Sequence, residues 1–107
     1  MKMSNGVVIQ KFVSDFKLRQ PDGVVGFAAR IKFHINGHVK TRFSQVQILL
    51  GDKLNTIYLI SPDLPFEDLP DTFMARASTY KYKPNDHLSV ISKEEPENFV
   101  EIYPVVV

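Results

Sequence analysis

No cysteine occurs among the 107 residues of the chain, which excludes disulfides and thiolate metal sites and fits a reducing compartment. No apolar run approaches the roughly 18 residues that a membrane-spanning helix needs. The opening MKMSNGVVIQKF has a single lysine before Gly6 and no apolar core ending in a small-residue cleavage site, so it does not read as a secretory leader. The expectation is a cytoplasmic protein without a membrane partner. Neither sign of charge dominates: 13 Lys and Arg stand against 12 Asp and Glu, a net charge of +1. Attraction to a polyanion must therefore come from where charges lie. GxSxG, P-loop, HExxH and Cys–His sets are missing, and Ser44, Ser61 and Ser92 have no recognisable partner base. The expectation is no enzyme and no cofactor. The length suits one core, so residues 1–107 are read as a single β-rich domain.

What is present is alternation with a period of two, carried by β-branched and aromatic residues between turn signals. GVVIQKFVSDFKL, with Val8, Phe12, Phe16 and Leu18 on one parity, reads as a first strand, closed by Pro21 and Gly23 in RQPDG. VVGFAARIKFHI sets Val25, Phe27, Ala29, Ile31, Phe33 and Ile35 against Gly26, Ala28, Arg30, Lys32 and His34. In VKTRFSQVQILL the pattern runs through Val39, Thr41 and Phe43 and then shifts to Val46, Ile48 and Leu50, as a β-bulge near Ser44 and Gln45 would produce. LNTIYLIS is apolar on both parities, which suits a central or doubly covered strand.

The turn fixes a register. A two-residue Asn36-Gly37 turn sets Phe33 opposite Lys40 and Ile31 opposite Arg42, apolar against charged. A three-residue loop, Asn36-Gly37-His38, pairs Ile35 with Val39, Phe33 with Thr41 and Ile31 with Phe43, and is the expected one. It gathers Arg30, Lys32, His34, Lys40 and Arg42 on one face, with His38 at the tip. Like charges opposed on a sheet cost a few tenths of a kcal/mol per pair. Such a strip suits either water or a phosphate backbone.

After Ser61 the composition changes. PDLPFEDLPD holds three prolines and four acidic residues, so 62–86 is expected as a long Pro-rich loop and connecting segment. Within it DTFMARASTY fits one short helix capped by Asp71 or Thr72. In TYKYK, Tyr80 and Tyr82 alternate with Lys81 and Lys83, offering stacking surfaces and cations to unpaired bases. Two strands, HLSVIS and NFVEIYPVVV, joined by KEEPEN, form a C-terminal hairpin, with Pro104 restricting its strand to an edge or a short pairing. An exposed edge at Phe99 to Val107 makes a homodimer an expectation. His34 and His38 would align as metal ligands only on a helix, and neighbouring cations oppose a metal, so no metal site is expected.

The span from DFKLRQPDG through GFAARIKFHINGHVKTRFSQVQILLGDKLNTIYLISP resembles the SpoVG family of small bacterial nucleic-acid-binding regulators. The shared order is a strand, a PDG-like turn, an A-x-A-x-I/V-x-F strand, a hairpin into F-x-x-V-x-I-x-x-G, and a strand ending near Ser-Pro. The resemblance implies a β-meander for the N-terminal half. Where that family continues with a basic residue and helices, this chain turns at Asp63 into the acidic loop, so nucleic-acid binding is not carried over from it. The expected fold is all-β or mainly β: an antiparallel meander plus a C-terminal hairpin, closed as a small barrel or sandwich, with at most one short helix. The expected function is non-enzymatic binding of single-stranded DNA or RNA through Arg30, Lys32, His34, His38, Lys40, Arg42, Tyr80, Lys81, Tyr82 and Lys83. The alternative is a protein-interaction module, an enzyme inhibitor or a component of a larger assembly, using Asp63, Glu67, Asp68 and Asp71 with an edge strand.

Overall fold

The first amphipathic segment is helical, which corrects its reading as a strand. In the computed structural model, which describes residues 5–18, 23–50, 55–60, 79–93 and 95–105, Asn5–Asp15 form α1. A spacing of four, as in Val8, Phe12 and Phe16, satisfies both a strand parity and a helix face. Ile9 and Val13 decide the matter, because they complete the i, i+1, i+4, i+5 stripe of a helix. Ile9 and Phe12 are fully buried, while Gln10, Lys11 and Ser14 face outward. The helix ends in a Schellman motif: Leu18 N–H donates to the Val13 carbonyl and Lys17 N–H to that of Ser14, each at 3.0 Å, with Lys17 at φ 55°.

Six strands follow: β1 Val24–Ile35, β2 His38–Leu50, β3 Asn55–Ile60, β4 Thr79–Lys83, β5 His87–Ile91 and β6 Phe99–Pro104. They form one antiparallel sheet in the order β3-β2-β1-β6-β5-β4. The sheet curls into a half-barrel, and among the described residues the fold is mainly β with one short helix. The core lies on its concave face. Ile9, Phe12 and Val13 of α1 share it with Val25, Phe27, Ala29, Ile31, Val46, Ile48, Ile57, Leu59, Leu88, Val90, Val100 and Ile102. Burying each large side chain stabilises the fold by about 1.5–3 kcal/mol.

The β1–β2 register differs from the expected one. Ile35 pairs with His38, Phe33 with Lys40 and Ile31 with Arg42, so Asn36 and Gly37 form a two-residue turn. Their φ values of 53° and 82° are both positive, as a type I′ turn requires. The pairing then runs unbroken to Val24–Leu49, and the bulge at Ser44 and Gln45 is absent. The apolar phase shift has another cause: Val39 and Phe43 are 54% and 69% exposed and lie outside the core. Lys40 and Arg42 are exposed beside Phe33 and Ile31. Their long stems can cover apolar neighbours while the charges stay in water.

Two further expectations change. Among the described residues β3 is an edge of the sheet and not its centre, with Ile57 and Leu59 buried and Tyr58 44% exposed. The C-terminal hairpin forms, pairing Leu88 with Ile102 and Val90 with Val100, but β6 lies between β5 and β1. Pro104 ends that strand opposite Ala29, and Val105 N–H then reaches the Ala28 carbonyl at 3.0 Å. Residues 99–104 are therefore interior and offer no edge to a second copy. The acidic residues Asp63, Glu67, Asp68 and Asp71 and the helix expected near Asp71 lie outside the described residues, whereas Thr79–Lys83 is strand.

Candidate nucleic-acid interface

Because side chains alternate across a strand, the observed register divides the basic residues between the two faces of the sheet. Arg30, Lys32 and His34 point to the convex face with Val39, Thr41 and Phe43, while Lys40 and Arg42 share the concave side with Phe33 and Ile31. The single five-residue strip is thus corrected: its members do not lie together. His38 is exposed at the turn. Tyr80 and Tyr82 are corrected as stacking residues, since both pack against the core. Tyr82 meets Phe12 edge-on, ring centroids 5.5 Å apart, and its hydroxyl donates to Asp15 Oδ2 at 2.6 Å while accepting Asn85 N–H at 3.1 Å. Burial first, and the Asp15 carboxylate second, raise the Tyr82 pKa, while the Tyr82 hydrogen bond, followed by that from Lys11, lowers that of Asp15. Burial alone raises Tyr80.

On the convex face the strand pairings lay out rows that cross the sheet. One row runs Phe43, Arg30, Tyr103, and the next runs Thr41, Lys32, Glu101, Ser89, Lys81. Lys83 pairs with His87 on the far strands, and the His87 ring leans on Tyr103 with centroids 4.7 Å apart. Arg30, Lys32, Thr41 and Tyr103 line a shallow concavity of about 240 Å³. Arg30 is flanked by an aromatic residue on each neighbouring strand. From β1 to β4 is three strand spacings, about 14 Å, so Lys81 and Lys83 face the same side as Arg30 and Lys32 at the other end of each row.

Glu101 occupies the middle of this face and is held from both sides. His34 Nε2 lies 2.9 Å from its Oε1 and His87 Nε2 3.2 Å from its Oε2. A carboxylate only accepts, so in the His34 hydrogen bond Nε2 carries the hydrogen. His34 also stacks on Phe99, with centroids 4.0 Å apart and planes 12° apart. Desolvation, and then the Glu101 and Asp86 charges, raise the Tyr103 pKa against an opposing contribution from Arg30.

Sequence reasoning missed Phe43, Thr41, Tyr103, Glu101 and His87. The signal for the first two was the Asn-Gly dipeptide itself, the strongest short hairpin indicator, because accepting its two-residue turn moves Val39, Thr41 and Phe43 to the face of Arg30 and Lys32. Nothing in the sequence marks β6 as the neighbour of β1, which is what brings Tyr103 and Glu101 to the site. No cluster of three metal-ligating groups occurs among the described residues, and no helix there is long and apolar enough to cross a membrane. No family model, curated protein or solved structure matches the chain.

Proposed function

We propose that the protein binds single-stranded nucleic acid, DNA or RNA, without catalysing a reaction on it, and that the convex face of the sheet is the binding surface. The observation that carries this reading is the concavity lined by Arg30, Lys32, Thr41 and Tyr103, with Phe43 exposed beside it. Arg30 and Lys32 offer charge to phosphates, and Phe43 and Tyr103 offer ring faces to unpaired bases, which a duplex keeps stacked inside. A strand crossing the rows reaches Lys81 and Lys83 within about 14 Å, in keeping with sites of roughly 4 nucleotides and upward. We place the protein in the cytoplasm. The protein-interaction alternative loses the edge strand it invoked at Phe99, because β6 is interior.

The test is binding of labelled single-stranded and duplex oligonucleotides across a salt series. The expected result is preference for the single strand, with log K falling against log salt at a slope of about −0.7 for each phosphate neutralised. Absence of binding at low salt, or equal affinity for duplex, would overturn the reading.

A further inference from the structure

We propose that the first half of β2 is an open sheet edge that takes an extended acidic peptide as an added strand. The direction of its backbone groups follows from one hydrogen bond. Val105 N–H, just past the end of β6, donates to the Ala28 carbonyl at 3.0 Å. The backbone groups of Ala28 therefore point away from β2, and those of its partner Gln45 point away from β1, toward Ile60 of β3. Every second residue repeats that direction, so Thr41 and Val39 send their N–H and C=O groups to the same side. The pairing of β2 with β3 runs from Gln45 to Leu50, and among the described residues nothing continues the ladder along His38–Arg42. Their outward N–H and C=O groups are left as a short open edge, and all five residues are exposed.

The side chains choose the occupant. Lys40 and Arg42 lie two residues apart on one face of this edge, neither forms an ion pair with a described residue, and β2 contains no acidic residue. A strand added antiparallel sets one residue opposite Lys40 and another opposite Arg42 on that face. The residue between them falls opposite Thr41, on the other face. An acidic, β-branched, acidic alternation therefore fits: carboxylates meet the two cations, and backbone amides complete the ladder. A second copy of the chain fits badly. Two β2 edges paired antiparallel about Thr41 bring Lys40 of one against Arg42 of the other, and like charges opposed on a sheet are destabilising. Cations on an edge keep like edges apart, and these leave the backbone open to a strand of opposite charge. The charge is read on the concave side of β2, whereas the surface proposed for nucleic acid is convex.

The experiment uses the full chain and a labelled synthetic peptide in which glutamate alternates with valine. The control is the same peptide N-methylated at its valines, the residues set opposite Val39 and Thr41, which keeps every charge and removes the donors that face the edge. The expected result is binding that the N-methylated peptide loses, with hydrogen exchange at the Val39 and Thr41 amides slowed about tenfold or more by the unmodified peptide. In the double variant Lys40→Gln, Arg42→Gln the peptide should bind roughly 2- to 30-fold more weakly, as the loss of two cross-strand charge pairs gives. Equal binding of the N-methylated peptide, unchanged exchange at the two amides, full affinity in the double variant, or no binding at low salt would overturn the proposal. Protection of the two amides that rises with protein concentration in the absence of peptide would assign the edge to a second copy and overturn it equally. Oligonucleotide binding at the convex face stands or falls separately.

Discussion

The two faces of the same six strands carry opposite kinds of residue. The concave face carries the apolar core, closed by Phe12, Ile9 and Val13 of the helix, with Lys40 and Arg42 exposed on the same side of β2. The convex face carries Arg30, Lys32, Glu101, His87 and Lys83, with Phe43 and Tyr58 left partly or largely in water. Both faces contain aromatic residues, so the presence of a ring does not say which task it has. Its partners do. Tyr82 is tied to Asp15 and Phe12 and holds the helix on the sheet, whereas Phe43 is paired with Arg30 across β1 and β2 and is 69% exposed.

The sharpest contrast should come from truncating one ring on each face. Phe12→Ala empties the centre of the core and is expected to cost about 3–5 kcal/mol of stability, read from denaturant unfolding. Phe43→Ala should change stability by about 0.5 kcal/mol or less, as exposed substitutions usually do. On the proposed function its effect is expected in binding, with affinity weakened by about 1–3 kcal/mol, or roughly 5- to 150-fold, as loss of a stacking platform would give. Should Phe43→Ala unfold the protein and spare binding, the division between the faces would be wrong.

A smaller effect separates Tyr82 from a stacking role. Tyr82→Phe removes the hydrogen bond to Asp15 and should lower the melting temperature by less than Phe12→Ala does, without altering oligonucleotide affinity. The sign with pH follows from Asp15, whose folded pKa lies below its ordinary 3.8 because of the Tyr82 and then the Lys11 hydrogen bonds. That contribution is fully present above the ordinary value and is lost as pH falls through the depressed one. In Tyr82→Phe, thermal melts across the acid range should show a shallower decline over this window. An acid profile identical to the wild type would mean that the Tyr82–Asp15 clasp does not contribute to stability.

How much was legible follows from where each element finds its partners. The β1 alternation and the β5–β6 hairpin are local patterns and stand as read. Segment 7–18 misled because apolar residues four apart match both periods, and only Ile9 and Val13 distinguish them. At the β1–β2 hairpin the hydrophobic match overrode the turn chemistry, and the turn chemistry was right. The reason is that the two-residue turn points Val39 and Phe43 to the convex face, away from the helix-covered core, so apolar character there does not report burial. The site itself depends on β6 lying against β1, a contact between residues about 70 apart in sequence, which no local pattern encodes.

The central claim is that the two basic pairs, read as one strip from the alternation, sit on different faces and have different tasks. Oligothymidylate affinity across a salt series should therefore be measured for Arg30→Gln with Lys32→Gln and, separately, for Lys40→Gln with Arg42→Gln. The first pair of substitutions is predicted to weaken binding and to flatten the salt slope by about 0.7 for each phosphate that is no longer neutralised. The second pair is predicted to leave both close to wild type. Equal weakening by the two pairs, or weakening confined to the Lys40 and Arg42 variant, would contradict the claim.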